Sequence, residues 1–173
     1  VYNLRLPRLV MALEVGACLA VAGALLQAVM RNPLADPGII GVSAGAATAA
    51  TTILLLYPAM LAAVPLFAFG GAALACVLIY VLAWRGGVDP VRIILSGVAI
   101  NTVLGAYNAF LQMLNSDNLS NVLAFMNGSL SGCTWEQVQV LTAYSVLGLV
   151  LGFACIKNAN ILQLGDEMAA SLG

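Results

Sequence analysis

Five stretches of roughly 20 apolar residues, each near the length a helix needs to cross a bilayer, are the feature that most constrains this chain. They run from about residue 9 to 30, 39 to 57, 60 to 83, 93 to 114 and 137 to 156. The loops between them are short and carry the helix breakers: Asn32 to Gly38, Tyr57-Pro58, and Gly86-Gly87-Val88-Asp89-Pro90. The loop from Ser116 to Trp135 is longer and polar, and it has room for a short interfacial helix near Leu119 to Met126. With 62% of residues hydrophobic and 8% charged in a chain of 173, a soluble core could not enclose the apolar surface. The fold expected is all-α, one polytopic transmembrane helical bundle over residues 1–173.

Composition also excludes function classes. A net charge of -1 with no basic run offers no footprint for nucleic acid. The four cysteines are scattered without a CxxC pair, and Cys18, Cys76 and Cys155 lie in apolar runs as small hydrophobes. No histidine is present, which removes the commonest general base and metal ligand, so no cofactor or metal is expected. No phosphate loop ending in Lys-Ser or Lys-Thr occurs, so ATP would have to be held elsewhere. Gly41-Val42-Ser43-Ala44-Gly45 matches the GxSxG of serine hydrolases, yet no strand precedes it and no histidine serves it. It reads as the small-residue start of a packed helix. Asn118-Leu119-Ser120 and Asn127-Gly128-Ser129 fit a glycosylation pattern that would carry no meaning in the bacterial protein expected here. The first residue is Val1 and no secretory leader is evident, so the chain reads as a piece of a longer protein.

Basic residues orient the spans. Arg31, Arg85, Arg92 and Lys157 fall on one side, Lys157 just past the fifth span, and only Arg5 and Arg8 on the other. The richer side is expected to be cytoplasmic, so the chain starts outside and ends inside. Small residues at every fourth position, Ala12, Gly16, Ala20, Ala24 and Ala28 in the first span and Gly41, Gly45 and Ala49 in the second, predict close helix contacts.

Three groups of residues could carry chemistry. In the fourth span Gly97, Asn101, Gly105, Asn108, Gln112 and Asn115 recur at spacings of three and four and share one stripe. Carboxamides facing lipid are costly, so Asn101, Asn108, Gln112 and Asn115 either bond to neighbouring helices or line a polar translocation path that solvates a solute without trapping it. Glu14 lies about 9 Å below Arg8 along a helix. It is either a functional carboxyl or one that snorkels, protonates or pairs with a span absent from the chain. Leu164, Met168 and Leu172 would form an apolar ridge on a short terminal helix, beside Asp166 and Glu167.

Read together, three stretches resemble the permease family of ABC importers for iron-siderophore, haem and cobalamin. They are Arg5-Leu6-Pro7-Arg8 through Gln27 to Asn32-Pro33-Leu34-Ala35-Asp36-Pro37-Gly38 and Gly41 to Ala46; Arg92 to Ala99; and Leu164-Gly165-Asp166-Glu167-Met168-Ala169-Ala170-Ser171-Leu172-Gly173. The resemblance covers essentially the whole chain in order. It implies that the five spans are the second to sixth of a ten-span subunit without its own ATPase site. It also implies a permease homodimer in a bacterial inner membrane, in contact with lipid, a separate ABC ATPase and an extracytoplasmic substrate-binding protein. Arg5 and Arg8 match arginines that dock the binding protein. Residues 161–173 match the cytoplasmic coupling segment, with Leu164, Gly165, Asp166, Glu167, Met168, Ala169, Leu172 and Gly173 as ATPase contacts. At Glu14 the family usually has an aliphatic residue. An iron-siderophore chelate is the expected solute. The competing class is half of a secondary transporter built on repeats, which would also need a polar midplane helix, but Glu14 is the one acid available within a span for ion coupling.

Overall fold

The computed structural model describes residues 2–3, 5–38, 40–85, 87, 89–115 and 119–163, the side chains of 119 and 121 excepted. Among the described residues every regular element is helical. α1 is Leu6–Met30, α2 Val42–Leu56, α3 Val64–Ala83, α4 Pro90–Leu114, α5 Leu119–Asn127 and α6 Trp135–Gln163, with a 3-10 helix over Pro58–Ala63 before α3. Among the described residues four helices are long and apolar enough to cross a membrane, the 3-10 turn and α3 counting as one.

The helix boundaries differ from the expected apolar runs at two points. The second span, α2, has 15 residues, about 22 Å at the helical rise, which is short of a hydrocarbon core of about 30 Å. Gly41 and Tyr57-Pro58 stop it at both ends. Past the fifth apolar run α6 continues to Gln163 and holds Lys157 on an exposed face near its C-terminal end. The short helix anticipated near Leu119 to Met126 is present as α5.

Local chemistry explains the boundaries. At the end of α1 the Arg31 N–H donates to the Ala28 carbonyl and the Asn32 N–H to that of Gln27, with Arg31 left-handed at φ 50°. This closing turn usually takes glycine. The Asn32 side chain then accepts from Leu34 N at 2.9 Å and turns the chain towards Pro37. α4 begins at Asp89-Pro90, where Asp89 Oδ1 accepts from Val91 N at 2.9 Å and the proline fills a position that needs no donor. α6 begins with a capping box: Thr134 N donates to Gln137 Oε1 at 3.2 Å, and Gln137 N to Thr134 Oγ1 at 3.4 Å.

The chain divides into two compact units. One takes its ends, through Asp36 and from Leu130, and is built on α1 against α6. Contacts pair Met11 with Cys133, Glu14 with Thr142, and Val21 and Leu25 with Gly152, so the two helices run parallel. The other, Pro37–Ser129, packs α2 against α3 and α4 and seats α5 on α2. There α2 and α3 are antiparallel, Gly45 meeting Gly71 and Ala75 while Ala49 meets Gly71. α2 and α4 are parallel, Gly41 meeting Gly97 and Thr48 meeting Asn108. Parallel α2 and α4 with α3 returning between them is the alternation expected of successive crossings.

The interior of each unit is small. No more than 17% of the most apolar window of any spanning helix is buried, and side chains such as Leu13, Phe69 and Met113 stand open. Lipid or further helices must cover them, because water would not tolerate so much apolar surface. The small-residue ridges behave differently. Gly45 and Gly71 bring α2 and α3 into backbone contact, whereas Ala20, Ala24 and Ala28 of α1 border an apolar groove of about 400 Å³ against Phe153 and Ile156 of α6.

Candidate translocation path and docking surfaces

The GxSxG segment is a helix start. Gly41 is left-handed at φ 89° and caps α2, where a Cβ would lie 2.8 Å from the Gly97 carbonyl oxygen. Ser43 is exposed in the first turn of α2, with no strand before it. Its two glycines answer to packing: Gly41 to α4 and Gly45 to α3.

The carboxamides of α4 do not act as one stripe. Asn108 is buried and donates through Nδ2 to Thr48 Oγ1 of α2 at 3.0 Å. Its Oδ1 is buried and has no donor among the described residues. Asn115 turns back on its own helix and donates to the Leu111 carbonyl at 3.0 Å. Gln112 is half-buried and reaches Met126 Sδ of α5 at 3.6 Å, while Asn101 is exposed. The reason is angular. At about 100° per residue Gly97, Asn108 and Asn115 fall within about 20° of one another, and Gly97 and Asn108 meet α2 and its lead-in. Asn101, Gln112 and Gly105 are rotated roughly 40° to 80° from Gly97, out of that seam.

Thr48 and Thr52 complete the α2 side of this seam, with Thr51 buried beside them on α2, and sequence reasoning missed all three. Thr52 Oγ1 donates to the Thr48 carbonyl at 2.7 Å and lies 3.4 Å from the Tyr107 hydroxyl; Thr51 is fully buried. Their spacing of three and four within an apolar run was the available signal, but threonine hydroxyls commonly satisfy themselves on their own helix and so pass as neutral.

Glu14 has its partner within the chain. Thr142 Oγ1 of α6 donates to Glu14 Oε1 at 2.7 Å and also lies 2.8 Å from the Val138 carbonyl, while Ser145 Oγ donates to the Thr142 carbonyl at 3.1 Å. A polar knot thus joins α1 to α6 through one oxygen of Glu14. Glu14 Oε2 is buried without a donor among the described residues.

Arg5 and Arg8 stand exposed at the start of α1, Arg5 at the cap position without a side-chain cap bond. Cations there oppose the helix dipole at a cost of roughly 0.3–1 kcal/mol each. Neither forms an ion pair among the described residues. Helix stability therefore does not explain them. At the opposite end a polar groove of about 540 Å³ is lined by Gln27, Arg31, Asn32 and Gln163. Arg92 pairs with Asp89 at 3.9 Å in an exposed contact of small energy. The residues expected to contact an ATPase, Leu164 to Gly173, lie outside the described residues. Cys18, Cys76, Cys133 and Cys155 are free thiols, and no cluster of metal-ligating side chains occurs among the described residues.

Long apolar helices with polar groups confined to their seams define, among the described residues, a multi-pass membrane protein. A sequence profile of the FecCD transport family matches residues 1–173, and the chain belongs to that family. It is 41% identical over 171 residues to the Fe(3+)-citrate import system permease protein YfmD of Bacillus subtilis, covering 99% of this chain and 51% of that protein. It is 38% identical over 172 residues to the cobalamin import system permease protein BtuC of Halobacterium salinarum, covering 99% of this chain and 47% of that one. A solved structure described as an inward-facing conformation of a metal-chelate type ABC transporter superposes with a TM-score of 0.85 at 28% identity, over 100% of this chain and 56% of that chain. The chain thus spans about half the length of the relatives it matches.

Proposed function

We propose that this chain is part of the membrane permease of a binding-protein-dependent ABC importer in a bacterial inner membrane, and that its solute is an iron chelate of the siderophore or citrate type. The observation that carries the reading is the family match over residues 1–173, with a ferric citrate permease among the relatives near 40% identity. Cobalamin, named for another relative, is the second solute to test. In this reading two copies of the complete permease surround the path, and Asn101 and Gln112 contribute carboxamides to its wall, while Asn115 is spent on its own helix. Asn108 holds α4 on α2 and so sets where that wall stands.

Arg5 and Arg8 meet an acidic face of the binding protein outside. Exposed guanidiniums suit that task, because such pairs steer and orient a partner more than they tighten it. On the cytoplasmic side Leu164, Met168 and Leu172 seat on the ATPase, with Gly165, Asp166, Glu167, Ala169 and Gly173 completing the contact. A helix that short is marginal alone and takes its order from the surface it packs on. The test is Leu172→Asp in the complete transporter, which puts a charge on the ridge and leaves the spans untouched. Membrane insertion and binding-protein docking are expected to be normal, with ATPase association or substrate-stimulated hydrolysis lost. A variant that couples like its parent would remove the assignment.

A further inference from the structure

The unit formed by α1 and α6 carries a second recognition element beside the arginines. Tyr2, 68% exposed, lies before Arg5, and its ring packs on that of Trp135 at the start of α6, centroids 5.5 Å apart and planes tilted by 39°. More than 130 residues of sequence separate the two rings. They meet because α1 and α6 are parallel and both begin on this side. The surroundings hold the pair in place. Cys133 Sγ contacts Met11 Sδ at 3.2 Å and donates to the Leu130 carbonyl at 3.1 Å, and the Thr134–Gln137 capping box fixes the first turn of α6. Trp135 Nε1–H is buried and has no acceptor among the described residues.

We propose that Tyr2 and Trp135 form an aromatic anchor for the soluble partner that Arg5 and Arg8 steer, an acidic extracytoplasmic binding protein; this rests on the docking role given to the arginines above. Position argues for a soluble partner over lipid. α1 has 25 residues, about 37 Å of helix against a hydrocarbon core of about 30 Å. Arg5 caps that end of α1, and Tyr2 precedes it in the chain, beyond the helix and against the start of α6. Composition argues the same way, since Arg, Tyr and Trp are the residues in which interface energy concentrates. The two parts divide the work: unpaired cations supply long-range attraction that salt screens, and the fixed rings supply short-range contact that salt leaves intact.

The experiment measures binding-protein affinity for the complete transporter in lipid nanodiscs at low and high salt. Tyr2→Ala leaves the packing of α1 on α6 in place, because most of the Tyr2 side chain is exposed in this unit. It is expected to weaken docking by about tenfold or more at both salt concentrations. Tyr2→Phe, which keeps the ring, is expected to dock like the parent. Arg5→Glu with Arg8→Glu is expected to weaken docking mainly at low salt. If Tyr2→Ala docks normally while the arginine variant does not, the anchor is refuted and the arginine role stands; a pair serving only as a membrane-interface anchor gives this result. If neither variant affects docking, both fall. A loss in Tyr2→Ala matched by an equal fall in thermal stability would also overturn the proposal, since it would mark the pair as scaffold.

Discussion

The contact of α2 with α3 gives the most quantitative expectation. Gly45 and Gly71 face each other so closely that a Cβ on either would collide with the backbone carbonyl of the other, and a Cβ on Gly45 would also lie 2.5 Å from the Ala75 methyl. A carbonyl in a helix cannot rotate aside as a side chain can, so Gly45→Ala must push the two helices apart. Overpacking costs about 1–3 kcal/mol, and a rigid backbone obstacle belongs at the upper end. Alanine returns up to about 1 kcal/mol through its better helix propensity. The net expectation is a loss of about 2 kcal/mol, a factor of about 30 in the folded to unfolded ratio. Gly71→Ala should cost a similar amount. Once one alanine has separated the helices the second finds room, so the double variant should lose only about 2–3 kcal/mol, well below the sum. Reversible unfolding of the full-length permease in detergent or bicelles measures all three. Gly45→Ala as stable as the parent, or a strictly additive double variant, would refute the close approach.

Two further outcomes follow from the seams. Cysteines at positions 101 and 108, in a background without the native thiols, should differ: the exposed Asn101 position should react with a membrane-impermeant thiol reagent in some transport state, and the buried Asn108 position should stay protected in all. Equal labelling would deny the division of the α4 stripe. Thr142→Val should destabilise the permease by about 1–3 kcal/mol, since it strips Glu14 of its donor, while Thr142→Ser should match the parent in the same unfolding assay. A valine variant that unfolds like the serine variant would remove the α1–α6 knot as a stabilising feature.

How much was legible depended on the kind of signal. Apolar runs of membrane length located every long helix, because hydrocarbon demands internally satisfied backbone and leaves few alternatives. The same signal did not mark where two helices end: the 15 residues of α2 are bounded by left-handed Gly41 and by Tyr57-Pro58 rather than by polarity, and the last turns of α6 are mixed in polarity yet remain helical through Lys157. The α4 carboxamides were legible as a face but not as separate roles, since which edge of the face is covered depends on where α2 crosses. Glu14 stood out at once; Thr142 did not, because a threonine in an apolar helix is ordinary until a neighbour 128 positions away makes it a donor. The pairing of Tyr2 with Trp135 likewise needed the parallel register of α1 and α6.

Under the proposed function the complete protein moves an iron chelate, driven by ATP hydrolysis on a separate subunit, after delivery by a binding protein. Proteoliposomes holding the full permease and its ATPase, with binding protein on the outer face and labelled ferric citrate or siderophore as solute, test this most directly. Uptake should require ATP inside and binding protein outside, and should not change when ion gradients are collapsed. Uptake that proceeds without ATP and stops when a proton or sodium gradient is dissipated would contradict the account and return the chain to the secondary transporters.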